Sequence, residues 1–185
     1  MLFGDAEAAG RLPLTMPRIE NEVQLRPEQY PGAASPGGLQ ATYAERLEVG
    51  YRWYHTHPAV APAFCFGHGG SFTRLGGDGA GSTNVSCVVT NVGSTAGTEV
   101  PQLYLTYPAA AGEPPRQLKA FAKMKLEAGE SRRAVFTLTK RDFAVWNGSV
   151  ATGGWAIVPG EFGIEAGASS CDVRLTGTIN VAAER

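Results

Sequence analysis

The sequence predicts an all-β antiparallel sandwich preceded by a long, mostly irregular N-terminal arm. Three observations carry this expectation. From residue 71 onward, apolar and polar residues alternate with a period of two in several short runs. Turn signals divide those runs: Asn91-Val92-Gly93, Ala128-Gly129-Glu130 and Pro159-Gly160. Before residue 71 alternating runs are few, and proline and glycine are frequent.

The arm offers little regular structure. Leu12-Pro13-Leu14-Thr15-Met16-Pro17 suits one short extended segment. Pro27 through Gly38, with Pro31, Gly32, Pro36 and Gly37, reads as a linker by composition. Thr42 to Val49 has room for a single helical turn. The sandwich runs are clearer. Val85, Cys87 and Val89 alternate with Ser86 and Val88. Leu103, Leu105 and Tyr107 share one face. Ala134, Phe136 and Leu138 share another, as do Phe162, Ile164, Ala166 and Ala168. The last run sets Val173, Leu175, Ile179 and Val181 against Arg174, Thr176, Thr178 and Asn180. Each pattern places one face in a core and the other in water. Ser71 to Val181 spans 111 residues, close to the ~100 of an immunoglobulin-like module. Lys140 to Trp146 suits one helical turn, and Trp146 and Trp155 are assigned to the sandwich core or its rim.

Composition narrows the function. The 185 residues are 43% hydrophobic with a formal net charge of −1. This describes a folded globular chain with no electrostatic preference for nucleic acid or an anionic membrane. No window approaches the ~18 apolar residues of a membrane span, and Met1 to Gly10 lack the basic head and apolar stretch of a signal peptide. Cys65, Cys87 and Cys171 follow neither a zinc spacing nor a disulfide framework. Buried thiols are expected, with one Cys87–Cys171 bridge as the alternative.

Several motifs compete with bland readings. Glycoside hydrolysis needs two carboxyl groups ~5–10 Å apart, yet Asp5, Asp78, Asp142 and Asp172 all fall at expected turns or strand ends. His55-Thr56-His57 puts two imidazoles on one face of a strand, but a third ligand is not nearby, so no metal site is assigned. His68 lies between Gly67 and Gly69 and suits a structural hydrogen-bonding role. Tyr51-Arg52-Trp53-Tyr54 is the densest aromatic cluster. Domain–domain packing is its favoured role, and sugar contact is the alternative. Asn84-Val85-Ser86 and Asn147-Gly148-Ser149 match the N-glycosylation acceptor pattern. No phosphate-binding or dinucleotide motif is present, and no cofactor is expected.

A series of motifs then carries a family resemblance. Gly112-Glu113-Pro114-Pro115-Arg116-Gln117-Leu118-Lys119-Ala120-Phe121 and Lys125-Leu126-Glu127-Ala128-Gly129-Glu130-Ser131 resemble the signature of the fibronectin type III-like domain of glycoside hydrolase family 3 β-glucosidases and β-xylosidases. Val88 to Gly93, Ala96 to Tyr104, and Gly167-Ala168-Ser169-Ser170 continue it in family order. Phe64-Cys65-Phe66-Gly67-His68-Gly69-Gly70-Ser71-Phe72-Thr73 is similar to the start of that final domain, with Cys65 and Gly70 in place of the usual Pro and Leu. Leu2-Phe3-Gly4-Asp5 and Gly10 to Pro17 look like the end of the family's preceding α/β sandwich domain. Gln29 to Gly32 and Val49 to Tyr54 look like the connecting stretch, with His55 where the family often has Asp. Leu75 to Thr83 is short and glycine-rich, so a clipped or mobile first strand is expected there.

The resemblance implies a division into residues 1–30, a remnant of the preceding domain; 31–65, a linker or arm; and 66–182, the fibronectin type III-like sandwich. It implies a non-catalytic accessory module, because the family's nucleophilic Asp lies in a barrel domain and its acid/base Glu also lies upstream. Nothing in this chain matches either. The implied partners are the catalytic domains of the parent enzyme or another protein chain, with a β-linked oligosaccharide as the alternative. A free-standing interaction module is the runner-up. An isolated remnant strand exposes unpaired backbone groups. The segment 1–18 is therefore expected to wrap onto the sandwich, pair with another chain, or lack order.

Overall fold

The computed structural model describes residues 8–70, 73–80, 84–148 and 152–182. The arm contains a small hairpin, β1 (Ala33–Ser35) with β2 (Gly38–Gln40), and one short helix, α1 (Tyr51–Thr56). The sandwich follows: β3 (Thr73–Ala80), β4 (Asn84–Asn91), β5 (Gly97–Glu99), β6 (Gln102–Thr106), β7 (Gln117–Phe121), β8 (Met124–Leu126) and β9 (Ser131–Thr137). It ends with β10 (Ala144–Asn147), β11 (Gly154–Ile157), β12 (Gly160–Ser169) and β13 (Asp172–Val181).

Two principal sheets form its layers. One has the order β13-β12-β6-β7 and the other β3-β4-β9, all antiparallel. The short pairs β5-β8 and β10-β11 lie beside them. The period-two pattern predicts the inner faces. Val85, Cys87 and Val89 from β4, with Ala134 and Phe136 from β9, meet Leu103 and Leu105 from β6 and Phe162, Ile164 and Ala166 from β12 in one core. Burying each large apolar side chain there contributes about 1.5–3 kcal/mol. β13 is half-buried, as its alternation requires, and Arg174 on its outer side reaches across to the Thr73 carbonyl at 3.1 Å.

Four expectations need correction. The glycine-rich stretch after residue 74 is not clipped: β3 keeps antiparallel register with β4 from Thr73↔Asn91 to Gly77↔Cys87, then resumes at Ala80↔Val85 after an irregularity. Backbone pairing tolerates glycine where side-chain packing does not demand more. Residues 81–83 lie outside the described residues. The helix sits at Tyr51–Thr56, after Gly50 with φ 61°, while Ala44 to Leu47 form only a turn. Six aromatic-rich residues carry no helical period, so tertiary contacts decide their conformation. The turn near Lys140 is a 3-10 turn over Lys140–Phe143, closed by Thr139 donating from N (2.7 Å) and Oγ1 (2.8 Å) to Asp142 Oδ2. The chain then becomes strand β10 rather than continuing to Trp146 as a turn.

The fourth correction concerns the cysteines. Cys65 and Cys171 form a disulfide, with Cα atoms 6.0 Å apart and 106 residues of separation. Cys87 is a buried thiol facing the core from β4. A Cys87–Cys171 bridge is excluded because Cys87 lies in the packed interior, whereas Cys171 caps the β12–β13 turn at the surface. Cα separations of ~4.4–6.8 Å are needed for a bridge. Folding supplies that proximity for Cys65, and the Ser170 N–H donates to the Phe66 carbonyl at 2.9 Å beside it.

Candidate functional site: the seam between arm and sandwich

Leu103 and Leu105 face the core from β6, so its alternate residues Gln102 and Tyr104 point outward. Both are nevertheless buried. The arm is the reason: it roofs the outer face of the β6–β7 part of the sheet. Tyr51 of α1 stacks on Phe66 (4.9 Å between centroids) and meets Tyr104 edge-on at 6.1 Å. Its hydroxyl accepts a hydrogen bond from the Leu118 N–H at 2.9 Å, beside the register shift between β6 and β7. Gln102 donates from Nε2 to the carbonyls of Gly67 (3.2 Å) and Ala168 (2.8 Å), and accepts from the Tyr104 hydroxyl at 2.5 Å. Burial raises the Tyr104 phenol far above its ordinary range.

The Phe66-Gly67-His68-Gly69 segment is the hinge of this roof. Gly67 has φ 80°, and a Cβ there would lie 2.2 Å from Gln102 Oε1. A Cβ on Gly69 would lie 2.6 Å from the Gly10 carbonyl. Both glycines therefore allow two chain segments to meet. His68 donates its N–H to the Cys65 carbonyl (3.0 Å), and its own carbonyl accepts from Leu12 (2.9 Å).

The described beginning of the chain wraps onto the same segment. Leu12 accepts from the Gly67 N–H at 2.8 Å, and Met16 and Phe64 form an antiparallel bridge with bonds of 2.8 and 3.2 Å. Of the three fates open to residues 1–18, the described part takes the first; Leu2 to Asp5 lie outside the described residues. Arg11 anchors it. Its guanidinium donates to Glu99 Oε1 at 2.7 Å, with side chains only 7% and 0% exposed. Glu99 also accepts from the Val100 N–H (2.7 Å) and from the Thr73 hydroxyl. A fully buried carboxylate needs such a set of donors.

A second polar cluster closes the far side of α1. Arg116 of the Pro-Pro-Arg motif pairs with Glu165 of β12 and donates to the Ser170 carbonyl at 2.8 Å. His55 Nε2 lies 3.2 Å from that carbonyl and 3.1 Å from Arg116 Nη1. Burial, and then the Arg116 charge, hold His55 below its ordinary pKa, so the imidazole is neutral near pH 7. The sign follows from linkage: the unfolded chain binds this proton more readily than the folded one. Stability is full above the unfolded value of ~6.5 and is lost as pH falls through the depressed folded value. The expected result is a melting temperature that drops more between pH 7 and 5 in the natural chain than in His55→Gln. Equal drops would contradict it.

The remaining sequence candidates fall as follows. Tyr54 is buried and donates its hydroxyl to Glu22 Oε2 at 2.7 Å; burial, then the Glu22 bond and charge, push its pKa up to about 12. Trp53 stacks on His57 at 4.0 Å, and Arg52 lies over the Tyr51 ring at 6.0 Å. His55 and His57 thus turn to different partners, and among the described residues no three His, Cys, Asp or Glu side chains gather as a metal set. Asp142 caps its turn and Asp172 pairs with Arg174 at 2.7 Å. Asp5 lies outside the described residues, as does the side chain of Asp78. Asn84 is exposed, with its Oδ1 accepting from Thr137 at 2.9 Å; Asn147 is exposed at the end of β10, and Ser149 lies outside the described residues. Sequence reading missed the Arg11–Glu99 and Arg116–Glu165 pairs. The period of two marks apolar faces and is silent about charges brought together from distant segments.

The fold and this roofed sheet define the class of the protein: an immunoglobulin-like sandwich of the fibronectin type III-like kind, whose profile matches residues 99–170. The resemblance extends across the chain, which is similar to the C-terminal part of glycoside hydrolase family 3 β-glucosidases. A β-glucosidase of Rhizobium radiobacter is 37% identical over 194 residues, covering 98% of this chain and 23% of that protein. A probable β-glucosidase G of Aspergillus terreus is 35% identical over 204 residues, covering 94% of this chain and 25% of that protein. The crystal structure of the Bifidobacterium adolescentis family 3 β-glucosidase superposes with a TM-score of 0.81 at 32% identity, covering 98% of this chain and 27% of the other. The chain therefore spans about a quarter of the length of the relatives it matches.

Proposed function

We propose that this chain is a non-catalytic accessory module of a family 3 β-glucosidase-type hydrolase, supporting catalytic domains by packing against them. The observation that carries this reading is where the apolar surface lies. Leu14, Met16, Ile19, Tyr30, Leu39 and Tyr43 are all exposed, and all belong to the arm. The arm is at the same time fastened to the sandwich by the Arg11–Glu99 pair and the Cys65–Cys171 disulfide. A rigidly held surface with so many large apolar side chains suits burial against another folded body. A cleft of about 200 Å³ along the seam, lined by Leu12, Pro13, Phe66, Val100, Leu118 and Phe121, adds to that surface.

In this reading residues 1–30 complete a preceding α/β domain, 31–65 link it, and 66–182 form the supporting sandwich. On the same reading hydrolysis belongs to the rest of the enzyme, and Asp142 and Asp172 serve structure through Thr139 and Arg174. Tyr51 packs within the seam, and Tyr54 packs within the arm. The test is a chimaera in which this chain replaces the matching segment of the Bifidobacterium adolescentis enzyme. The expected result is a folded, active β-glucosidase that loses thermal stability when Leu39 and Tyr43 are both changed to Asp, while the isolated 185-residue chain hydrolyses no aryl β-glucoside. An unaffected double variant, or hydrolysis by the isolated chain, would overturn the proposal.

A further inference from the structure

The hairpin β10–β11 carries a feature that the packing role leaves unused. Trp146 and Trp155 are cross-strand partners, so both indoles rise from one face of the hairpin. They meet edge-to-face at 5.7 Å and are 46% and 49% exposed. The Arg141 guanidinium lies 3.3 Å over the Trp155 ring. Beside them runs an open groove of about 700 Å³, lined by Lys140, Arg141, Ala144, Trp155, Ile157 and Pro159. Single exposed apolar residues are ordinary; two adjoining indoles, one of them lining a groove of ligand size beside Lys140 and Arg141, are not.

The groove lies at the Pro159 end of β12, whereas Ser170, just past the other end of that strand, contacts His55 of α1.

We propose that Trp146, Trp155 and Arg141 form a saccharide-binding platform for a β-linked gluco-oligosaccharide. In a β-linked glucopyranose the ring hydroxyls are equatorial, which leaves both ring faces apolar. Such a face stacks on an indole while the hydroxyls at its edge take hydrogen bonds from flanking donors. The indole faces that Arg141 leaves uncovered supply the stacking surface, and Arg141, Lys140 and the exposed Asn147 amide supply the donors. The β-glucosidase relatives make the same sugar class the natural occupant. The site differs from the Tyr51–Tyr54 strip, whose rings are engaged with Phe66, Tyr104, His57 and Glu22. The choice of sugar rests on the β-glucosidase reading above, while the platform itself rests on the hairpin geometry.

The test is calorimetric titration of the full 185-residue chain with cellohexaose, and with maltohexaose as the α-linked comparison. Saturable binding of cellohexaose in the millimolar range or tighter, and its preference over maltohexaose, are expected. Trp146→Ala and Trp155→Ala should each weaken it about tenfold, the loss of roughly one stacking contact. Trp155→Phe should retain part of the affinity, and Trp53→Ala all of it. Melting temperatures of the variants should stay near that of the natural chain, because both indoles are half-exposed. Absence of saturable cellohexaose binding, equal binding of maltohexaose, or loss in Trp53→Ala with Trp146→Ala unaffected would each overturn the proposal.

Discussion

Replacing Arg11 by alanine is expected to destabilise the chain by about 3–5 kcal/mol, because the change removes the buried guanidinium that pairs directly with the fully buried Glu99 carboxylate. Donors such as the Val100 N–H and the Thr73 hydroxyl, and the nearby Arg174 charge, stabilise the anion only in part. Domains of this size have a net stability of about 5–15 kcal/mol, so one substitution in an arm that looks peripheral removes a large share. The effect is a penalty of stranding a charge, and that gives it a signature. Adding Glu99→Gln to Arg11→Ala should recover much of the loss, whereas Glu99→Gln alone should also destabilise. Urea denaturation of the three variants measures all of this. A loss below about 1 kcal/mol for Arg11→Ala, the value of an exposed pair, would show that the arm does not enclose Glu99.

Opening the Cys65–Cys171 disulfide is the second large change. It closes a loop of 106 residues, and loops of that length correspond to about 4.7 kcal/mol in the chain-entropy account, within a usual range of ~2–5 kcal/mol for removal of a native bridge. Cys171→Ser should lower the melting temperature, and reductant should lower that of the natural chain to a similar value while leaving the variant unchanged. The loss should also be local. Amide exchange should rise at Leu12, Met16, Phe64 and Gly67, whose backbone bonds hold the arm on the segment after Cys65. A reductant-insensitive melting temperature in the natural chain would contradict this.

The two effects reveal what kind of information the sequence carries. The inner faces of β4, β6, β9 and β12 were legible because alternation is a local property, set by the two-residue repeat of a strand. The family motifs added the kind of sandwich, and the strand order came only with the structure. The seam was largely illegible. Cys65 and Cys171 have no pattern in common, and their pairing depends on the β12–β13 turn meeting the end of the arm. Glu99, beside Val100-Pro101, looks like an ordinary solvated acid until Arg11 is folded over it from 88 residues away. Tyr104 and Gln102 alternate correctly with Leu103 and Leu105, yet the prediction of one face in water fails because α1 covers it. The aromatic cluster Tyr51–Tyr54 was visible as a contact surface, but its local form as a helix was not. Trp146 and Trp155 had two places open to them, the core or its rim. They are half-exposed on the β10–β11 hairpin, outside the core.

The central claim is that this module works as part of a larger hydrolase, held against its catalytic domains. The most direct measurement is an immunoblot of the native product with an antibody against the sandwich, paired with an in-gel assay using a fluorogenic β-glucoside. The account predicts a band roughly four times the 19.5 kDa of this chain, with β-glucoside hydrolysis at the same place in the gel. A band near 19.5 kDa with no hydrolytic activity would contradict it.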